Sequence, residues 1–115
     1  MKVDFSQIKE NPYPEFKGGI GVTNLKTHED DLGKIMRGRL EPGACIGMHT
    51  HENNSEIIFI LEGECKALYD GEGETLKAGD CHYCPQGHSH SLINNGNKDL
   101  IFYAVVAEIN CDDDY

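Results

Sequence analysis

Five of the six histidines in this 115-residue chain fall between positions 49 and 90, and the spacing of the first two limits what they can do. In an extended strand, side chains at i and i+2 leave the same face. His49 and His51 therefore project together, with the carboxylate of Glu56 a short turn further on. Two imidazoles and a carboxylate on one side of a sheet can converge on a single cation. Taken alone, a His-x-His on a strand is more often a solvated pair than a ligand set. The stretch Gly79-Asp80-Cys81-His82-Tyr83-Cys84-Pro85-Gln86-Gly87-His88-Ser89-His90 shifts that balance, because it runs strand, Pro/Gly turn, strand and brings further histidines.

Other side chains are candidates for the same pocket. Cys45 shares strand parity with His49 and His51, so it is expected to face inward, as a substrate contact or as a small hydrophobe. Arg37 and Arg39 share a face and, if it is the inner one, can grip a carboxylate or phosphate. His88 has the parity of His90 and reads as the catalytic proton donor or acceptor at the mouth. His82 reads as structural or exposed. Tyr83 and Tyr103 read as barrel core or as pocket hydroxyls. Cys81 and Cys84 have redox or zinc spacing, but i and i+3 on a strand point to opposite faces, so the two sulfurs should not meet.

The elements that must position these groups are short and β-rich. Thirteen glycines and turn sequences such as Glu41-Pro42-Gly43, Asp70-Gly71-Glu72-Gly73, Ala78-Gly79-Asp80 and Asn94-Asn95-Gly96-Asn97 punctuate short apolar runs. Strands are expected over roughly 20–26, 33–40, 44–51, 56–62, 64–69, 81–84, 88–94 and 99–109. Residues 100–107 are apolar throughout and suit a strand buried on both faces. Only 28–36 leaves room for a short helical turn. Residues 1–19 read as an N-terminal arm or edge strand, 20–110 as the barrel, and 111–115 as a solvated acidic tail.

A formal net charge of −10 argues against nucleic acid and anionic membranes as partners. No segment approaches the ~20 apolar residues of a membrane span, and the N-terminus has no apolar signal run. Five cysteines, an odd number, then read as reduced thiols in the cytoplasm.

Gly43, His49, His51, Glu56 and Gly63 match every fixed position of the first cupin motif, and Gly79, Pro85, Gly87, His90 and Asn94 match every fixed position of the second. The chain thus resembles a small single-domain cupin. The resemblance implies an all-β jelly-roll barrel with one divalent transition metal ion (Mn, Fe, Ni, Co or Zn) in its mouth, held by His49, His51, Glu56 and His90. Three imidazoles and one carboxylate suit those ions and disfavour calcium, which wants oxygen ligands. The expected function is a metalloenzyme acting on a small polar or anionic metabolite, by isomerase, lyase, decarboxylase or dioxygenase chemistry. A non-catalytic metal- or sugar-binding module is the alternative. A homodimer is expected, with Phe5, Ile8, Tyr13 and Phe16 of the arm packing on a partner barrel.

Overall fold

The computed structural model describes residues 1–109; the acidic tail lies outside the described residues. Ten strands form two antiparallel sheets. They are β1 (Asn11–Pro14), β2 (Val22–Asp30), β3 (Gly33–Leu40), β4 (Cys45–Thr50), β5 (Asn54–Glu62), β6 (Glu64–Tyr69), β7 (Glu72–Lys77), β8 (Cys81–Cys84), β9 (Ser89–Ile93) and β10 (Leu100–Glu108). The larger sheet runs β1-β2-β3-β10-β5-β8 and the smaller β4-β9-β6-β7. Facing each other they enclose one core, the jelly-roll arrangement.

The inner faces follow the strand period. Leu40, Ile58, Ile60, Leu100 and Phe102 from the larger sheet meet Cys65, Ala67 and Leu92 from the smaller, and all are almost fully buried. Each large apolar side chain so buried stabilises the barrel by about 1.5–3 kcal/mol. Phe102 lies directly over its register partner Gly38, where a Cβ would stand 2.1 Å from the ring. Motif residue Asn94 is fully buried. Its amide donates to the carbonyls of Leu40 (2.8 Å) and Lys98 (2.9 Å), and its Oδ1 accepts from the Gly96 N–H (3.0 Å).

Three expectations need correction. No helical turn forms at 28–36, because β2 and β3 pair continuously from Thr23↔Leu40 to Asp30↔Gly33. The turn after β6 is only Asp70-Gly71, with φ of 47° and 85°, the left-handed pair that a two-residue hairpin requires. Glu72 and Gly73 therefore belong to an additional strand, β7, which pairs with β6 and which its polar sequence had hidden. Finally, β10 is central in its sheet but not buried on both faces. Phe102, Ala104 and Val106 point inward, while Tyr103 is 37% exposed.

The arm packs on its own chain. β1 pairs with β2 at the sheet edge, Phe5 stacks on Tyr103 with centroids 5.4 Å apart, and Phe16 packs against the core. The segment after Phe16 presses onto β4 so closely that a Cβ on Gly47 would sit 2.0 Å from the Lys17 carbonyl oxygen. That close approach brings Lys17 to the barrel mouth.

Candidate metal centre

Both sheets contribute to the site. His49 on β4 is the register partner of His90 on β9, beyond an irregularity between Ile46 and His49. His51 lies just past β4, where its N–H donates to the His88 carbonyl (3.1 Å) and its carbonyl accepts from the Gly87 N–H (2.7 Å). These two bonds tie the two histidine-bearing segments together. Glu56 reaches across from β5 of the larger sheet. His51, Glu56 and His90 are buried, and His49 is partly so.

The donor atoms converge. His51 Nε2 lies 2.9 Å from His90 Nε2, which lies 3.1 Å from His49 Nε2. Glu56 Oε1 is 3.1 Å from His51 Nε2, 3.0 Å from His90 Nε2 and 3.9 Å from His49 Nε2. Two ligands at right angles on an ion about 2.1 Å away stand about 3 Å apart. Four of these five separations have that value, so the group fits a transition metal ion without rearrangement.

The opposite ring nitrogens explain the convergence. His49 Nδ1–H donates to the Gly47 carbonyl (2.8 Å), which can only accept. His51 Nδ1–H donates to Asn54 Oδ1 (2.5 Å). Each bond puts a proton on Nδ1 and leaves the Nε2 lone pair of the neutral ring aimed inward. Lone pairs converging in a buried site require a cation or a proton between them. Burial pushes the Glu56 carboxyl up, but hydrogen bonds from His49, His51 and His90 outweigh it and hold the group well below the ordinary carboxylate range. The hydrogen bond to Glu56 raises His51, against the opposing effect of burial, whereas burial lowers His90.

The cluster opens into a cavity of about 430 Å³. Its apolar wall includes Met36, Ile46 and Val106, and its charged lining outside the cluster is Lys17, Lys34, Glu52 and Glu108.

Residues 36–106 match the Cupin domain family. The chain is a cupin. A Thermotoga maritima protein named oxalate-binding protein is 37% identical over 92% of this chain and 93% of its own length. A crystal structure from Thermotoga maritima, described as a predicted oxalate decarboxylase, superposes with a TM-score of 0.90 at 33% identity, over 95% of this chain and all of that one. The oxalate decarboxylase of Bacillus subtilis is 28% identical over 94% of this chain, which spans 29% of that protein.

Within this cupin, several residues expected in the pocket lie elsewhere. Arg37 and Arg39 are on the outer face of β3, because Met36, Gly38 and Leu40 take the inner one. Arg39 pairs with Glu10 at 2.9 Å and with Glu41 at 3.4 Å. Tyr83, 55% exposed, and Tyr103 also point outward. Cys45 loses its expected parity at the β4 irregularity: Ile46 is the buried cavity residue, and Cys45 bonds through its backbone to Ile20. His88 turns from the cavity to donate from Nδ1 to Asp70 (2.5 Å) and to stack on Tyr69. Cys81 is exposed and Cys84 buried, on opposite faces of β8, and burial pushes the Cys84 thiol up to about 11.

Sequence reasoning missed Lys17, Lys34, Asn54 and His82. Lys34 was discoverable, since it shares strand parity with the apolar Met36 and Leu40. His82, read as structural or exposed, is 3% exposed and contacts His90 directly.

Proposed function

We propose that this cupin is a metal-dependent enzyme acting on a small carboxylate anion of the oxalate or keto-acid class. The observation that carries the reading is the joining of the His49–His51–Glu56–His90 cluster to a small cavity bearing Lys17 and Lys34. Three neutral imidazoles and one carboxylate leave a divalent ion with a net charge of about +1, which attracts an anion. When bound, the metal supplies a Lewis acid that polarises a substrate carbonyl or carboxylate. Lys17 and Lys34 bind and orient the far end of the anion. Met36, Ile46 and Val106 keep water off one side of it, which strengthens these charge interactions. The names of the two oxalate-related curated relatives support this substrate class.

The test is incubation of the Mn²⁺- or Fe²⁺-loaded protein with oxalate and small keto acids, with and without oxygen. The reading expects metal-dependent consumption, and a raised KM in Lys34→Ala. No consumption of any of these acids overturns it. A second reading, a non-catalytic binder, is favoured by His88, the expected proton group, which bonds Asp70 away from the cavity. Tight oxalate binding without consumption selects that reading.

The protein is proposed to be a homodimer, joined through the outer face of the larger sheet rather than by the arm. Ile35, Val105, Ile57 and Tyr83 form an apolar row across β3, β10, β5 and β8, and a second copy would cover it. Light scattering of a monomer at micromolar concentration would contradict this. Cys45, Cys65, Cys81 and Cys84 are free thiols, which fits the cytoplasm. Among the described residues no helix is long and apolar enough to cross a membrane.

A further inference from the structure

His90 differs from the other two histidines in what holds its outer nitrogen. His49 and His51 donate to a backbone carbonyl and to an amide, both neutral acceptors. His90 Nδ1 instead lies 3.0 Å from His82 Nε2, and His82 Nδ1 lies 2.5 Å from Glu74 Oε1. The planes of the two rings lie within 13° of each other, with centroids 5.2 Å apart. At that separation, with facing nitrogens 3.0 Å apart, the rings meet edge to edge, as an in-plane hydrogen bond needs.

We infer that Glu74 and His82 are positioning residues for the metal, a carboxylate–histidine pair that fixes the tautomer and orientation of His90. The inference rests on the metal reading of the cluster. An ionised carboxylate can only accept, so the His82 proton must be on Nδ1. With the ring neutral, His82 Nε2 then accepts, and His90 must donate from its own Nδ1. The His90 lone pair is left on Nε2, the atom 3.1 Å from His49 Nε2 and 3.0 Å from Glu56 Oε1. The carboxylate thus decides, through two rings, which nitrogen faces the ion, and its charge makes that nitrogen a stronger donor.

The pair also spans a seam of the barrel. Glu74 is on β7, the edge of the smaller sheet, and His82 is on β8, the edge of the larger. The side chains of His82 and His90 are 2% and 3% exposed, while that of Glu74 is 48% exposed. The chain therefore runs from water to the buried centre with no gap.

Two readouts test it. In the metal-free protein at alkaline pH, long-range ¹H–¹⁵N NMR should find the His90 proton on Nδ1. In His82→Phe it should move to Nε2, and the Co²⁺ affinity measured by calorimetry should fall about 10–100-fold, with circular dichroism unchanged. Glu74→Ala, at a half-exposed position that does not endanger folding, should weaken Co²⁺ binding in the same direction. Glu74→Gln keeps the shape and an acceptor oxygen for His82 but loses the charge, and should recover only part of the affinity, whereas a packing role would be rescued in full. Native Co²⁺ affinity and an unmoved His90 proton in both His82→Phe and Glu74→Ala would overturn the inference. Failure of the native protein to bind Co²⁺ at all would overturn the metal reading, and the positioning role with it.

Discussion

The two motif segments build their shares of the metal centre in different ways. Residues 43–63 supply His49, His51 and Glu56, and the groups that orient the two imidazoles are close in sequence: the Gly47 carbonyl and the Asn54 side chain. Residues 79–94 supply His90 alone. Its orienting partner His82 lies eight residues back on a strand of the opposite sheet, and the carboxylate behind His82 belongs to β7. The imidazoles of the first segment carry their own scaffold, whereas that of the second depends on closure of the barrel. Two ligands can thus be oriented by local bonding, Glu56 meets them only when the larger sheet faces the smaller, and His90 is oriented only when the seam between β7 and β8 is made.

Removing the ligand that the seam positions should have the largest effect. His90→Ala is expected to abolish stoichiometric Co²⁺ binding while leaving the β-sheet circular dichroism intact, because the core of Leu40, Ile58, Leu100 and Phe102 does not include it. Metal at a hundredfold excess over Kd stabilises a folded protein by about 3 kcal/mol. Thermal melts should therefore rise on adding Co²⁺ to the native protein and stay flat for the variant. Collapse of the sheet signal in metal-free His90→Ala would mean that the ion is structural.

A smaller loss is expected in the locally scaffolded half. Asn54→Ala removes the acceptor of His51 Nδ1–H and should lower Co²⁺ affinity by about tenfold in calorimetry. The preceding β4 and the His51 backbone bonds to Gly87 and His88 remain to hold the ring. A loss in Asn54→Ala larger than that in His82→Phe would reverse the ranking of the two segments.

The ligands were legible because their chemistry is written in spacing: His-x-His on one strand face, and two motifs whose fixed positions this chain fills. Eight strands were legible from apolar runs between turns. What escaped left no mark in the local alternation of residue types. Strand β7 carries one buried side chain, Leu76, so no alternation marked it, and it exists because β6 pairs with it. The parity argument for Cys45 failed at the β4 irregularity, which no residue type announces. Lys17 reaches the mouth through a left-handed backbone at φ 56° and the contact with Gly47. The open question of which face Arg37 and Arg39 occupy was answerable from the sequence, since Met36 and Leu40 on the other face of β3 claim the interior.

The mildest probe is pH. His51 is raised by its hydrogen bond to Glu56, so its proton competes with the ion, and metal affinity should begin to fall at a pH above the reference value of about 6.5. In the metal-free protein the sign is opposite. A group raised on folding contributes stability that is present below its unfolded pKa and lost as pH rises through its folded one. Melting temperatures with chelator should therefore fall with rising pH above about 6.5, while those with saturating Co²⁺ should not. Parallel curves would contradict the upward shift of His51.

The central claim is that four side chains from both sheets hold one ion through Nε2 of His49, His51 and His90 and a carboxylate oxygen of Glu56. A crystal structure of the Co²⁺-loaded protein, with the ion located by anomalous scattering, tests it most directly. The account predicts one ion with these four ligands at about 2.0–2.3 Å and His90 Nδ1 still bonded to His82. An ion bound elsewhere, or one that leaves His90 unligated, would contradict it.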